Sequence, residues 1–473
     1  MTKRFVLRHC FILFTSFALF HVGTSITHKS QDGTEEWGYV QVRPKAHMFW
    51  WLYRSPSRVD ARSKAWPTIL WLQGGPGGSG TGFGNFLEIG PLNLNLKPRN
   101  STWLQKADLL FVDNPVGTGY SYVESGGEFA KGDVEAAIDM TTLLAEVSKN
   151  NTVGLQNAPL YIFAESYGGK FAITLALSLL RAIQAGNLTL NFRGVALGNS
   201  WMSPEDYTYS WGPLLKDLSR IDDVTLQASN RLALKIQQQL KNKLYENATV
   251  SWSDLEELII TKSNGVDFYN FMLDLEMDSL ASTTITTTTT NSVESNRIDS
   301  FEVKKNSRYL SSHIYKPGSG GGLEALMNGP IKQKLAIIPP NVTWGDQSDS
   351  VFQFFIGDFM KSRIMEVDEL LAKGINVTIY NGQVDLICST KGTEAWINKL
   401  KWKGLKTFIN KERTTLFCGN EKQTKGFTKS HQNLHFYWIL GAGHFVSSRG
   451  STVCDTKHGG SNHTVTSFLM QLK

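Results

Sequence analysis

Short apolar runs alternate with helix-period segments over the first two hundred residues. Segments 133–147 and 171–185 repeat apolar residues at helical spacing. Four runs are too short for helices and predict buried strands, at 68–72, 109–112, 160–163 and 195–197. Buried strands joined by crossover helices produce this alternation, so the pattern predicts an α/β protein with an open, doubly wound, mostly parallel sheet.

The flanking segments complete a discontinuous core. Aromatic-rich runs at 38–42 and 48–52 predict a hairpin, and strand-like runs return at 376–380 and 434–440. Between these halves, 224–244 and 252–260 have the periodicity of amphipathic helices. We therefore expect core segments 26–200 and 331–473, separated by a helical cap insertion at 201–330. Within the insertion, 280–308 is a polar, threonine-rich loop whose cleavage the sequence leaves open.

The N-terminus has the layout of a secretory signal peptide. In 1–25, a basic start precedes an apolar run from Cys10 to Val22 and then small residues. The run is too short for the roughly 20 residues of a membrane-spanning helix, so we expect cleavage and no membrane span afterwards. Seven Asn-x-Ser/Thr sequons suit a secreted or lysosomal glycoprotein, at Asn100, Asn150, Asn187, Asn247, Asn341, Asn376 and Asn462.

Charge and cysteine content narrow the function classes. The formal charge is +6, three units of which leave with the signal peptide, and no dense Lys/Arg run is present, which argues against a nucleic-acid partner. The mature chain keeps Cys388, Cys418 and Cys454, which are spaced too far apart for a disulfide framework or a zinc site and allow at most one disulfide, whose pairing stays open. We expect no metal and no cofactor.

Residues 160–170 have the pattern of a nucleophile elbow. A hydrophobic strand, a tight turn at Ser166 and a helix start follow one another, with Ala164 in place of the usual first glycine. A serine hydroxyl needs a base and an acidic partner, which follow in the order Ser, Asp, His in this class. Asp385 and His444 satisfy that order, and each lies in a glycine-containing loop just after a predicted strand.

A glycine-rich turn supplies a candidate oxyanion hole. The sequence 71–80 reads Trp-Leu-Gln-Gly-Gly-Pro-Gly-Gly-Ser-Gly and follows the strand at 68–72. It lacks the Gly-Lys-Ser/Thr of a phosphate loop, and we expect no helix directly behind it. The backbone N–H groups of Gly75 and Tyr167 are therefore the expected oxyanion donors.

Four motifs in order make the chain resemble the serine carboxypeptidase family. They are Leu-Gln-Gly-Gly-Pro-Gly at 72–77, Asp-Asn-Pro-Val-Gly-Thr-Gly-Tyr-Ser-Tyr at 113–122, Glu-Ser-Tyr-Gly-Gly at 165–169 and Gly-His-Phe at 443–445. The starting Trp-Gly-Tyr-Val and the segment 394–402 are most similar to the retinoid-inducible serine carboxypeptidase branch. The resemblance implies an α/β-hydrolase fold and removal of C-terminal amino acids from peptides through an acyl-enzyme.

The resemblance also implies a site for the substrate's C-terminal carboxylate, formed by Gln73, Gly74, Glu88 and Glu165. A carboxylate can share a hydrogen bond with a glutamate only if one of them is protonated, so we expect peptidase activity to favour acidic pH.

Three departures from the family pattern bear on this function. Gln73 replaces the usual Asn, Phe445-Val446-Ser447 replaces Met-Val-Pro, and Gly78 replaces a cysteine, which removes a family disulfide. Two alternatives stay open: an acyltransferase or esterase of the same family, or a weakly catalytic binding or stabilising partner. The sequence leaves the oligomeric state and the preferred C-terminal residue undetermined.

Overall fold

The structure is a computed structural model that describes residues 25–58, 65–149, 154–275, 320–417 and 422–447. The predicted leader therefore lies outside the described residues except for Ser25. The whole of loop 280–308 also lies outside them, as do Cys418, Cys454, Asn150 and Asn462. The described strands are β1 Ser25–Lys29, β2 Glu35–Arg43, β3 Ala46–Tyr53, β4 Thr68–Leu72, β5 Asp108–Val112, β6 Tyr122–Val123, β7 Pro159–Glu165, β8 Asn191–Gly198, β9 Asn376–Gly382, β10 Thr414–Leu416, β11 Gly426–His431 and β12 Leu434–Ile439.

One mixed sheet contains all of these strands. Its order is β1-β2-β3-β5-β4-β7-β8-β9-β12-β11-β10, with β6 paired to β3. The strands from β5 to β12 in this order pair in parallel, whereas β1 to β3 and β10 to β11 add antiparallel edges. The mostly parallel α/β-hydrolase fold expected from the sequence is confirmed.

Helices cover both faces of the sheet. They are α1 Asp133–Lys149, α2 Gly168–Gln184, α3 Pro204–Asp217, α4 Asp223–Lys241, α5 Tyr245–Lys262, α6 Gly320–Leu326, α7 Lys332–Leu335, α8 Asp349–Phe359, α9 Ile364–Ala372, α10 Thr390–Ile397 and α11 Leu405–Asn410. Alternate strand residues enter two separate apolar clusters. Leu70 and Leu72 lie in one cluster with α1 and α2, whereas Ile69 and Trp71 lie in the other with α6 and α7. This two-sided burial explains why the parallel strands read as continuous apolar runs.

One local prediction is wrong. A π-helical segment, Gly80–Ile89, begins directly behind the glycine-rich turn, where we expected no helix. Ser79 caps it by accepting a hydrogen bond from the N–H of Gly82. Three of its first five residues are glycines, which are poor helix formers, and this composition hid the helix from pattern reasoning.

The long helices in the described part of 201–330 are α3, α4 and α5. That this segment forms a separate cap stays a prediction.

None of the helices in the described residues has the length and apolar character needed to span a membrane. The five described sequon asparagines are all exposed: Asn100, Asn187, Asn247, Asn341 and Asn376. Asn376 begins β9 yet lies at the solvent-exposed end of that strand, whose remaining residues are buried.

Candidate active site

Five neighbouring parallel strands deliver the candidate residues to one edge of the sheet. In spatial order these strands are β4, β7, β8, β9 and β12. Their carboxyl ends are followed by Gln73 to Gly75, Ser166, Asn199, Asp385 and His444, respectively. Because parallel strands end at the same edge, residues up to about 370 positions apart in sequence meet there.

Ser166 occupies a strained turn between β7 and α2. Its backbone φ is +60°, in the left-handed region that non-glycine residues rarely adopt. Its N–H donates to the carbonyl of Gly198, the last residue of β8, and its own carbonyl accepts from the N–H of Trp201. These two hydrogen bonds hold the turn in place. The hydroxyl therefore projects from the sheet edge into a cleft that His444 also lines.

His444 is buried and oriented by Asp385. The imidazole Nδ1 lies 2.8 Å from Asp385 Oδ2. Nε2, the other ring nitrogen, has no hydrogen-bond partner among the described residues, and His444 lines the cleft. The two loops are joined directly, since Val384 N–H donates to the carbonyl of Ala442. The backbone N–H of His444 donates to Tyr269, whose ring packs against the imidazole at a centroid distance of 4.8 Å.

Sequence reasoning missed Asn199, which bonds to the same Asp385 oxygen that His444 contacts. The Asn199 side-chain amide donates to Asp385 Oδ2, and its Oδ1 accepts from the N–H of Gly382 at 3.1 Å. Asn199 directly follows β8, so the same strand-end argument that found Asp385 could have found it. Both Asp385 and Asn199 are fully buried, so this bond fixes the carboxylate in one orientation.

The glycine turn lies against the elbow. A Cβ on Gly74 would come within 2.6 Å of the Ser166 Cβ and 2.9 Å of the Tyr167 nitrogen, so only glycine permits this approach. Gly75 has a φ of +113°, which an L side chain would strain. Within the described part of the chain, the N–H groups of Gly74, Gly75 and Tyr167 donate to no acceptor. Three unused donors therefore lie beside the serine.

A salt-bridged network anchors the side chain of Tyr167. Its hydroxyl donates to Asp358 Oδ2 at 2.5 Å, and Lys170 Nζ, fully buried, lies 3.2 Å from the same oxygen. Burial raises the pKa of Asp358, but Lys170, the Tyr167 hydroxyl and Arg363 outweigh it and hold that pKa below its usual range. An ionised Asp358 thus fixes the residue directly after Ser166.

The four carboxylate-binding candidates cluster beside Ser166. Gln73 Nε2 donates to Glu165 Oε1 at 3.2 Å, and Trp71 Nε1 donates to Gln73 Oε1 at 2.7 Å, which orients the longer amide side chain. The carboxyl groups of Glu88 and Glu165 interact directly, and the hydroxyl of Ser447 donates to Glu88. Sequence reasoning missed this contact, which is made by one of the positions that depart from the family pattern.

Burial perturbs both glutamates. It raises the pKa of Glu88 to about 7, against smaller opposing effects of hydrogen bonds from Ser447, Glu165 and Gln73. The pKa of Glu165 is raised well above its usual value, mainly by burial and to a smaller extent by the charge of Glu88. The pair therefore holds protons at slightly acidic pH, where solvated glutamates are ionised.

Among the described residues, one group brings three potential metal ligands together: Asp385, Cys388 and His444, whose donor atoms lie within 4.8 Å of one another. Their contacts account for this proximity without an ion, because His444 and the N–H of Cys388 each hydrogen-bond to Asp385. Cys388 is buried and free, and burial raises the pKa of its thiol well above the usual value, which disfavours the thiolate that binds metals.

Comparison with known proteins agrees with this geometry. Residues 26–454 match the family profile described as serine carboxypeptidase. Serine carboxypeptidase-like 51 of Arabidopsis thaliana is 58% identical over 424 residues, covering 88% of this chain and 89% of that protein. The retinoid-inducible serine carboxypeptidase of Homo sapiens is 46% identical, covering 90% and 91%.

The fold matches a solved structure as well. The prohormone-processing carboxypeptidase Kex1(delta)p of Saccharomyces cerevisiae superposes with a TM-score of 0.70 at 21% identity, covering 92% of this chain and 91% of that one. At that identity the likeness concerns the fold. The resemblance inferred from the four motifs is confirmed by the profile and the two close relatives.

Proposed function

The chain belongs to the serine carboxypeptidase family and is a serine-type exopeptidase, and from that premise we propose that Ser166, His444 and Asp385 perform its reaction. Ser166 Oγ attacks the last peptide carbonyl while His444 Nε2 accepts the serine proton. His444 then gives this proton to the leaving amino acid, and Asp385 stabilises the imidazolium. Water, activated by the same histidine, hydrolyses the acyl-enzyme.

The oxyanion of the tetrahedral intermediate accepts hydrogen bonds from the N–H groups of Gly75 and Tyr167. Two features support this assignment. Both N–H groups donate to no acceptor among the described residues, and Gly74 brings the glycine turn into contact with the elbow. Preorganised donors of this kind contribute about 10²- to 10³-fold to kcat each.

Recognition of the free C-terminus falls to Gln73, Gly74, Glu88 and Glu165. At acidic pH the glutamates are neutral and donate hydrogen bonds to the substrate carboxylate, with the Gln73 amide and the Gly74 N–H as further donors. As the pH rises past about 7, Glu88 ionises and repels that carboxylate. We therefore propose an acidic optimum for exopeptidase activity.

One observation carries this proposal: His444, which is bonded to Asp385 at 2.8 Å, lines the same cleft as Ser166 and the buried Gln73–Glu165 pair. Labelling with a fluorophosphonate, followed by peptide mass mapping, tests the nucleophile. Wild type should be modified at Ser166 alone, and labelling should be slowed by His444→Ala and abolished by Ser166→Ala. Modification at another serine would contradict the assignment.

We also propose entry into the secretory pathway, with cleavage of the 1–25 leader and glycosylation. The supporting observation is that all five described sequon asparagines are exposed. Expression in a eukaryotic secretory host should give a protein whose gel mobility increases after N-glycosidase treatment. Replacing Asn187 or Asn376 by Gln should each remove one glycan, and unchanged mass for both variants would contradict their use.

A further inference from the structure

Asp346 is a cleft residue that the reaction does not use. It lines the same cleft as Ser166 and His444, although it comes from the loop between α7 and α8. Its backbone is fixed to the glycine turn, because its carbonyl accepts from the N–H of Ser79 at 2.9 Å and the next residue, Gln347, bridges to Gly78. The Asp346 carboxylate is therefore held beside the catalytic groups.

This carboxylate lacks a cationic partner among the described residues. Its Oδ1 accepts a hydrogen bond from the N–H of Gln347 at 2.8 Å, and no described lysine, arginine or histidine forms an ion pair with it. Partial burial raises the pKa of Asp346, with smaller contributions in the same direction from Glu324 and Asp349. A positive ligand group would relieve both the burial cost and this repulsion.

The neighbouring walls of the cleft are aromatic. Phe445 packs against Phe83 at a centroid distance of 5.2 Å and against Tyr269 at 5.3 Å, and all three side chains line the cleft with Asp346. Aromatic walls beside a carboxylate suit a long side chain with an apolar stem and a cationic head, since the stem packs on the rings and the head pairs with the charge.

The occupant of this cleft is the substrate's last residue. Gln73, Gly74 and Glu165, to which we assign the terminal carboxylate, line the same cleft as Asp346. We propose that Asp346 selects peptides whose C-terminal residue is lysine or arginine. This inference rests on the proposed function, because it takes the position of the terminal carboxylate from it.

Matched substrates test the selection. Benzoyl-alanyl-lysine and benzoyl-alanyl-norleucine differ only at the end of the last side chain, where the lysine peptide carries an ammonium group and the norleucine peptide does not. At pH 6 we expect wild type to favour the lysine peptide in kcat/KM, and Asp346→Asn to lower the lysine-to-norleucine ratio by about tenfold or more, as for loss of a partly desolvated charge pair. The norleucine rate should stay within about twofold of wild type, since the neutral side chain makes no charge pair with Asp346.

Glu324→Gln is the matched control, because it removes one nearby negative charge from outside the cleft. It should leave the ratio nearly unchanged. Asp346→Lys should reverse the preference towards a C-terminal glutamate, which a merely structural role would not produce. An unchanged ratio in Asp346→Asn, or a lysine preference at the penultimate position instead, would overturn the proposal.

Binding separates this inference from the proposed function. In a Ser166→Ala background, calorimetry should show tighter binding of the lysine peptide than of the norleucine peptide, and Asp346→Asn should abolish the difference. If wild type cleaves neither peptide yet this binding difference is found, the proposed function fails and the selection stands. If both peptides are cleaved and bound equally, the function stands and the selection fails.

Discussion

The pH dependence that we propose for C-terminal recognition rests on the buried pair Glu88 and Glu165. Burial raises the pKa of Glu88 to about 7, so the carboxyl group is neutral at pH 6 and mostly ionised at pH 8. At pH 8, one unit above that value, about a tenth of the molecules keep Glu88 neutral. Binding of a substrate carboxylate should therefore weaken about tenfold between pH 6 and pH 8.

The assay compares benzoyl-alanyl-phenylalanine with its C-terminal amide. Both substrates use the same serine and histidine, so the ratio of their kcat/KM values cancels the pH dependence of the shared chemical steps and reports the proposed carboxylate site. We expect this ratio to fall about tenfold from pH 6 to pH 8 in wild type, following the titration of Glu88. In Glu88→Gln, whose amide stays neutral, the ratio should be flat across the same range.

Glu256→Gln provides the control for this experiment. Glu256 is another fully buried glutamate whose pKa burial raises well above its usual value, but it does not line the described cleft. Its substitution should leave the tenfold fall intact. A wild-type ratio that is constant from pH 6 to pH 8, or a Glu88→Gln variant that keeps the wild-type slope, would refute the reasoning.

Three further predictions concern buried residues. Asn199→Ala should lower kcat about ten- to a hundredfold with little change in KM, because it removes the hydrogen bond that orients Asp385, and a bond of this kind is worth about 1.5–3 kcal/mol. Steady-state kinetics check this, and unchanged kcat would count against it. Glu256→Gln should raise the melting temperature at pH 8 but not at pH 4.5. The folded-state pKa of Glu256 is raised, so its stabilising contribution is complete below the unfolded value near 4.5 and is lost as the pH rises through the folded value; equal gains at both pH values in calorimetry would contradict this. Tyr167→Phe should cost about 1–3 kcal/mol in urea-induced unfolding, because it leaves Asp358 without the 2.5 Å hydroxyl bond; an unchanged midpoint would show that the network does not depend on Tyr167.

The central strands and helices could be predicted because the spacing of their apolar residues matches the faces that they bury in the fold. Strand β4 occupies the predicted residues 68–72, and α1 extends the predicted helix by two residues. The elbow at Ser166 was found because its strand, turn and helix are contiguous in sequence. The candidates Asp385 and His444 were found because each follows a strand in a glycine-containing loop, an arrangement that the sheet order then brings together.

What stayed hidden depends on contacts between distant segments. Asp346 enters the cleft because backbone hydrogen bonds join its loop to Gly78 and Ser79, about 270 residues earlier, and no local pattern marks it. The edge strand β10 and its neighbour β11 lack a continuous apolar run, so hydrophobic patterning did not find them. The π-helix behind the glycine turn was not predicted, because its glycine-rich start lacks the pattern of a helix.

The account's central claim is that Ser166 removes C-terminal residues from peptides with a free carboxylate. The most direct test is mass spectrometry of N-blocked peptides, ending in a free carboxylate or an amide, after incubation with purified wild type and Ser166→Ala at pH 5 and pH 7. The account predicts stepwise loss of single C-terminal residues from the free-acid peptides by wild type alone, faster at pH 5. Trimming by Ser166→Ala, or equal trimming of the amidated peptides, would contradict it.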